Sequence, residues 1–108
     1  MDEWVSDPAN PVPYTQAITN GRSREYMVED QRYAGTRPDV MVYQTEVLTE
    51  DLTMSGPIVA DLFVSTTGTD ADFVVKVIDV YPDDYPEHDD KYMPVPMAGY
   101  QMMVRGEV

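Results

Sequence analysis

Cysteine is absent from the sequence, and its absence removes several classes of protein at once. Disulfide-stapled scaffolds, zinc ribbons and thiol nucleophiles all need cysteine sulfur in the chain. The absence does not identify a compartment, because a chain without cysteine folds in either redox environment. Any chemistry must therefore come from oxygen and nitrogen side chains.

Basic residues are scarce: seven Lys and Arg stand against 20 Asp and Glu, which gives a formal net charge of −13. Affinity for nucleic acid comes mainly from Lys and Arg that neutralise phosphates and release counterions. Basic clusters also draw proteins to anionic membrane surfaces. The composition therefore argues against nucleic acid and membranes as partners.

Long apolar runs are missing as well, since no stretch approaches the ~18 to 20 consecutive apolar residues of a membrane span. The acidic start, Met1-Asp2-Glu3-Trp4, is opposite in charge to a secretory signal, and the localisation stays open. A length of 108 residues suits one small domain, and a hydrophobic content of 43 % is sufficient for a folded core.

Residues 1–39 show no apolar pattern with the period of a strand or a helix. They hold Pro8, Pro11, Pro13 and Pro38 among Asn, Gly, Ser and Thr, which favours an extended, turn-rich segment. Proline also biases the residue before it away from helix. We therefore predict that residues 1–39 form an extended connector whose residues 6–14 are a strap across another part of the structure.

From residue 40 onward the sequence is rich in strand formers. The predicted strands are residues 40–46, 52–54, 58–65, 73–81 and 98–105. In 58–65 the side chains of Ile58, Ala60, Leu62 and Val64 share one face, which predicts a half-buried strand. In 73–81 one face carries Phe73, Val75 and Val77, which is typical of a central strand.

No segment carries a sustained helical stripe, so we expect little helix beyond a turn or two. Short, evenly spaced strands separated by proline-containing loops are typical of a β-sandwich or jelly roll. We therefore predict an all-β fold, a β-sandwich or jelly roll formed by residues 40–108 behind the 1–39 connector.

The sequence offers no complete catalytic set. A Ser-His-Asp hydrolase needs a histidine base, and the single histidine, His88, lies in an acidic, proline-rich loop, where a solvated side chain is the simpler interpretation. The G-x-S-x-G elbow is absent, because residues 21–25 read Gly-Arg-Ser-Arg-Glu. We predict no catalytic residue and no cofactor in this chain.

Two weaker candidate sites surround the loop at residues 82–96. Tyr81, Tyr85 and Tyr92 bracket the loop and are candidate stacking residues for a sugar or a peptide, although tyrosine is also a common strand residue. A cluster of carboxylates suits a hard cation such as calcium, although its spacing departs from the EF-hand pattern and acidic runs are usually solvated. The candidate metal ligands are Asp83, Asp84, Glu87, Asp89 and Asp90.

Several stretches resemble, in order and spacing, the CocE/NonD family of bacterial serine hydrolases and the related X-Pro dipeptidyl-peptidases. The opening Val-Ser-Asp-Pro-Ala-Asn-Pro-Val-Pro-Tyr and the closing Gly-Tyr-Gln-Met-Met-Val-Arg-Gly-Glu are more similar to the acylase and α-amino-acid ester hydrolase branch than to the cocaine esterase branch. The stretches that carry the resemblance are residues 4–14, 30–32, 37–43, 48–52, 56–57, 69–83 and 99–107.

The resemblance implies that catalysis and the matched region belong to different domains. In that family the serine, acid and histidine belong to an α/β-hydrolase domain, whereas the matched stretches belong to the non-catalytic C-terminal jelly roll. The resemblance therefore implies a parent α/β-hydrolase domain as partner and a small acyl ester or amide as the parent's substrate. It also implies that the jelly roll continues past Val108, that Met1 is an artificial start, and that the chain is a fragment, silent by itself.

Two alternatives from other classes remain open. One is a self-contained β-sandwich module of galactose-binding-like shape, which binds a carbohydrate or a peptide through the tyrosines of the 82–96 loop. The other is a purely structural domain for docking or oligomerisation. Because an incomplete sandwich leaves open sheet edges, we also expect self-association of the isolated chain.

Overall fold

The computed structural model describes residues 1–21, 23–87 and 95–107. Along the chain these residues form a 3-10 helix at Glu25–Met27, a one-turn helix α1 at Arg32–Gly35, and the strands β1 at Val75–Val80 and β2 at Gln101–Glu107. The helical turns are set by side chains just before them. The hydroxyl of Ser23 accepts the N–H of Glu25, and a carboxylate oxygen of Asp30 accepts the N–H of Arg32.

Strands β1 and β2 form a two-stranded antiparallel sheet. Val80 lies opposite Gln101 at one end, and Val75 lies opposite Glu107 at the other. The register shifts between Val77 and Ile78, because Val77 lies opposite Arg105 whereas Ile78 lies opposite Met103. Val104 is the extra residue of this β-bulge, which bends the strand locally and increases its twist.

The sheet confirms the two strands predicted at 73–81 and 98–105 in their positions, with β2 displaced towards the C-terminus. The strands predicted at 40–46, 52–54 and 58–65 are wrong as hydrogen-bonded strands, because the described residues 40–74 form no ladder. Strand composition creates a ladder only where a neighbouring strand takes up the backbone N–H and C=O groups. These three segments have the composition without that neighbour.

The burial predicted for the 58–65 segment is also wrong in degree. On the face predicted to be buried, Ile58 and Leu62 are still 51 % and 53 % exposed, and Phe63 on the opposite face is 101 % exposed. The alternation itself is retained, because Ile58, Leu62 and Val64 are less exposed than Val59 and Phe63. The described residues therefore cover this apolar face only in part.

The described structure has β-sheet as its extended regular element and helix only as single turns, as expected for an all-β protein. The predicted connector at 1–39 carries both helical turns and no strand among its described residues. The division of the chain at residue 39 stays a prediction, and so does the jelly-roll topology.

The chain buries little of its surface. It exposes 9981 Å², whereas a compact monomer of its 12.2 kDa mass exposes about 6,000 Å². Its radius of gyration is 16.1 Å, against about 13 Å for a compact domain of this length. Among the described residues the buried ones are Ala34, Thr15 and Gln31. Polar contacts therefore carry an unusual share of the tertiary structure.

Among the described residues, none of the helices combines the length and the apolar character that a membrane crossing requires.

The turn that leads into β2 depends on a glycine. Gly99 has φ +64°, and a Cβ at this position would lie 2.9 Å from a carboxylate oxygen of Asp83 and 3.3 Å from Arg32. We expect Gly99→Ala to lower the free energy of unfolding by about 1 to 3 kcal/mol, because it adds left-handed backbone strain and a steric contact. Urea denaturation followed by circular dichroism measures the change.

Gly68→Ala is the matched control, because Gly68 has no positive φ and its added Cβ would lie 3.5 Å from the nearest atom, the hydroxyl of Thr66. We expect this variant to stay within about 0.5 kcal/mol of the natural chain. Equal stability of the two variants would contradict the role assigned to Gly99.

Candidate functional site

The structure brings together two of the three predicted stacking tyrosines. The rings of Tyr81 and Tyr85 meet edge to face, with centroids 4.9 Å apart and an interplanar angle of 78°. The hydroxyl of Tyr81 lies 4.0 Å from the sulfur of Met102. Both rings are half-buried, so each offers only part of its surface to a ligand. Tyr92 lies outside the described residues.

The predicted cation site is only partly described. Asp83, Asp84 and Glu87 are exposed, whereas Asp89, Asp90 and the neighbouring His88 lie outside the described residues. Within 1–21, 23–87 and 95–107, no group of three or more His, Asp or Glu side chains is arranged to hold a metal ion. A calcium site on the full acidic loop therefore stays a prediction.

Asp83 lies near a cation of a different kind. Its carboxylate and the guanidinium of Arg32 both approach Gly99. The charge of Asp83 also contributes to the raised pKa of Arg32, whose largest cause is the hydrogen bond to Asp30. One of the predicted metal ligands therefore faces an arginine, which competes with a metal ion for the same carboxylate.

The most organised site in the described structure is centred on Gln31, which is 1 % exposed. Its backbone N–H donates to the carbonyl of Gln101 at 2.9 Å. Its side-chain amide donates to the carbonyl of Glu29 at 2.8 Å and accepts from the ammonium of Lys76 at 2.7 Å. The nitrogen and the oxygen of this buried side-chain amide therefore each have a hydrogen-bond partner.

Lys76 reaches this site from strand β1 and is half-buried. Burial lowers the pKa of its ammonium, while the charge of Glu29 acts in the opposite direction. The ammonium also lies 5.8 Å from the centre of the Tyr33 ring, within the range of a cation–π contact. The amide of Gln31 and the ring of Tyr33 thus replace part of the water that the ammonium loses.

Asp30 extends the site to the start of β2. One carboxylate oxygen accepts the N–H of Gln101 at 3.3 Å, and the other pairs with the guanidinium of Arg32 at 2.5 Å. Burial acts to raise the pKa of Asp30, but the hydrogen bonds from Arg32 and Gln101 outweigh it and hold the pKa below its usual value. Tyr100 adds a hydrogen bond from its hydroxyl to the carbonyl of Val28.

These contacts attach the N-terminal connector to the sheet. Gln31 and Asp30 occupy the backbone groups of Gln101 that point away from β1, so the segment covers the beginning of the sheet edge. Farther along the connector, the hydroxyl of Tyr33 donates to the carbonyl of Tyr14 at 2.7 Å. We call Asp30, Gln31, Lys76 and Gln101 the polar junction.

An open apolar groove of about 700 Å³ lies on one face of the sheet. The residues that line it include Ile58, Ala60 and Leu62, then Phe73, Val75 and Val77, and also Val104 and Arg105 at the bulge. They include the two apolar faces that the alternation of the sequence predicts. The groove is therefore the place where these two faces meet.

The N-terminal end of the connector lies near this groove. The indole ring of Trp4 meets the ring of Phe73 edge to face, with centroids 6.1 Å apart. The hydroxyl of Tyr43 donates to the carboxylate of Asp2 at 2.7 Å. Trp4 and Asp2 both precede the predicted strap at 6–14, which stays a prediction.

The polar junction and the groove suit packing and binding more than catalysis. Ser23, the serine of the incomplete elbow, donates its hydroxyl hydrogen to Glu25, and that hydrogen bond holds the pKa of Glu25 below its usual value, so Glu25 is a poor base. The histidine that a triad would need, His88, is outside the described residues. Sequence reasoning missed Gln31 and Lys76 as site residues, although they lie in two of the stretches that carry the resemblance, 30–32 and 69–83.

Comparison with known proteins gives one family and one curated relative. The model of the family described as X-Pro dipeptidyl-peptidase C-terminal non-catalytic domain matches residues 7–107. Cocaine esterase of Rhodococcus sp. (strain MB1 Bresler) is 40 % identical over 82 residues, which are 76 % of this chain and 14 % of that protein. No solved structure matches the chain.

We expect the Gln31–Lys76 hydrogen bond to be visible as a coupling energy. Gln31→Leu and Lys76→Met should each lower the free energy of unfolding by about 1 to 3 kcal/mol, because each leaves a buried polar partner unsatisfied. In the double variant, the loss of unfolding free energy should be smaller than the sum of the two single losses by at least about 0.5 kcal/mol. Denaturant unfolding of the four chains provides the measurement.

Gln44→Leu is the control, because Gln44 is an exposed glutamine far along the chain from the junction. Its change in stability should stay within about 0.5 kcal/mol. Strict additivity of Gln31→Leu and Lys76→Met would show that the two side chains do not support each other.

Proposed function

Because the chain belongs to the family of X-Pro dipeptidyl-peptidase C-terminal non-catalytic domains, we propose that it is the accessory β-sandwich region of a bacterial serine hydrolase. In this role it holds no catalytic residue and packs against an α/β-hydrolase domain that supplies the serine, acid and histidine. The observation that carries the proposal is the family match across residues 7–107, since it covers nearly the whole chain and names the domain as non-catalytic.

The size of the relative supports the accessory role. The chain spans 14 % of the length of the cocaine esterase that it matches, so an activity of that protein has ample room outside the matched part. The resemblance in the opening and closing motifs favours an acylase or α-amino-acid ester hydrolase. The proposed substrates of the whole enzyme are therefore esters or amides of small acyl or α-amino-acyl groups.

The exposed apolar surface supports a packing role in physical terms. The groove walls at Ile58 and Leu62 remain half-exposed, and large apolar surfaces in water mark places where another surface binds. A jelly roll completed by further strands, or a hydrolase domain, would cover this face. We propose that residues 1–39 serve as the connector between the two, fixed to the sheet by the polar junction.

The accessory role predicts a chain without esterase activity. The purified 108-residue chain should hydrolyse p-nitrophenyl acetate and p-nitrophenyl butyrate no faster than buffer containing an equal concentration of its His88→Ala variant. The physical reason is that Ser23 is the serine of the incomplete elbow and its described partner Glu25 is a poor base. Release of p-nitrophenol, followed by absorbance, is the measurement.

If the natural chain hydrolysed these esters and the His88→Ala variant did not, the accessory role would be refuted. A second test is the genomic reading frame upstream of Asp2, where we expect a G-x-S-x-G motif followed by an Asp and a His. An upstream reading frame without such a motif would remove the parent hydrolase from the proposal.

The uncovered groove also predicts self-association of the isolated chain. A net charge of −13 keeps copies apart at low ionic strength, and salt screens this repulsion without weakening apolar contact. Multi-angle light scattering should therefore give a molar mass that rises with protein concentration and with added sodium chloride.

Leu62→Lys and Val59→Lys form a matched pair for this test. Leu62 lines the groove, whereas Val59 is three residues away, more exposed, and not part of the groove lining. Leu62→Lys should shift the molar mass towards the monomer, and Val59→Lys should leave it unchanged. A monomer at high concentration and high salt, or equal effects of the two variants, would contradict association through the groove.

A further inference from the structure

Asn20 and Gly21 form an Asn-Gly pair in the loop before the 3-10 helix, and both residues are exposed. A Cβ built on Gly21 meets no heavy atom within 4 Å, so the space around this peptide unit is open. The sequence contains one other asparagine, Asn10, and Pro11 follows it. The two asparagines therefore differ in whether the next residue carries a backbone N–H.

We propose that Asn20 is a site of spontaneous covalent modification, at which water converts the side-chain amide to aspartate and isoaspartate. The backbone nitrogen of Gly21 gives its proton to solvent base and attacks Cγ of Asn20. A new C–N bond forms, the bond from Cγ to the amide nitrogen breaks, and the leaving nitrogen takes up a proton and departs as ammonia. Water then opens the cyclic imide at either of its two carbonyl carbons.

The two openings give different main chains. Attack of water at Cγ restores the ordinary backbone with an aspartate at position 20. Attack at the backbone carbonyl carbon gives isoaspartate, in which the main chain runs through Cβ and Cγ and is one carbon longer. Both products add one negative charge to the −13 of the chain.

Among the described residues, the hydrogen bonds around Gly21 involve its carbonyl and not the N–H that reacts. The carbonyl of Gly21 accepts from the hydroxyl of Tyr14 at 2.7 Å and from the hydroxyl of Thr19 at 2.9 Å. This carbonyl belongs to the following peptide unit, and among the described residues none accepts the N–H of Gly21. Glycine also lacks the side chain that would hinder approach of its nitrogen to Cγ.

Asn10 is protected by its own surroundings. Pro11 has no backbone N–H to deprotonate, so the same ring closure does not start. The backbone of Asn10 is also held in place, because its N–H donates to the carbonyl of Asp7 at 3.0 Å and its carbonyl accepts from the guanidinium of Arg37 at 2.8 Å. Asn10 therefore serves as an internal reference for Asn20.

Formation of isoaspartate would disturb the contacts of Tyr14. The hydroxyl of Tyr14 accepts the N–H of Ser23 at 3.2 Å in addition to holding Gly21, and its ring lies 6.1 Å from that of Tyr26. An extra main-chain carbon at residue 20 moves the carbonyl of Gly21 away from this hydroxyl. The modification therefore loosens the loop that precedes the 3-10 helix within the connector.

The experiment incubates the 108-residue chain in mildly alkaline and mildly acidic buffer and follows the mass at each asparagine by fragment-ion sequencing of its peptides. Replacement of NH2 by OH increases the mass at position 20. This increase should be several-fold faster in the alkaline buffer than in the acidic one, because the attack needs a deprotonated nitrogen. Position 10 should stay unchanged. Gly21→Ala should slow the gain several-fold, and the open space at Gly21 lets this variant fold.

A second readout separates the added charge from the longer main chain. Trypsin cleavage after Arg24, an exposed residue, should be faster in the aged, isoaspartate-containing chain than in the fresh chain, while Asn20→Asp with its normal backbone should resemble the fresh chain. A mass gain at Asn20 no faster than at Asn10, or unchanged by Gly21→Ala, would overturn the proposal. Equal trypsin cleavage of the aged chain and Asn20→Asp would overturn the loosening of the loop.

Discussion

The hydrogen bonds of Gln31 join the connector, strand β1 and strand β2. Its side chain is the most deeply buried that the structure describes and accepts from Lys76 of β1, while its backbone N–H donates to the carbonyl of Gln101 in β2. Each of these three parts is too short to be stable alone, since a two-stranded sheet in water is marginal. Their mutual dependence explains why a polar residue occupies the place where a larger domain has an apolar core.

This arrangement has an energetic consequence. A buried glutamine contributes only modest net stability when all its partners are present, but it costs more when one is removed. The apolar side chains that normally supply the larger favourable term are mostly exposed, including Phe63 at 101 %. The described contacts therefore specify how the connector meets the sheet, while the exposed apolar side chains contribute less to stability than buried ones would.

The sequence predicted the parts of the fold that depend on one strand and its own alternation. Phe73, Val75 and Val77 do share a face, and they meet Ile58 and Leu62 in the groove as their period implies. The ladders at 40–46 and 58–65 were not predicted correctly, because a ladder depends on a neighbouring strand that local composition does not reveal. Gln31 was not predicted as a site residue for a related reason. Its burial depends on hydrogen-bond partners, and one of them, Gln101, is 70 residues away in sequence. Its hydropathy indicates only that it is polar.

Charge completes the explanation of why the chain stays open. Arg32 and Arg37 each pair with an aspartate two residues away, so much of their charge is neutralised within their own segment. Lys76 reaches from the sheet to the connector, where it contacts Gln31 and Tyr33. Since the remaining acids of the 40–74 region have no such counterpart in the hydrogen bonds and ion pairs of the described residues, their repulsion opposes collapse of the apolar segments onto the sheet. A covering surface therefore has to supply apolar contact over the groove, and positive charge at its rim would strengthen its binding.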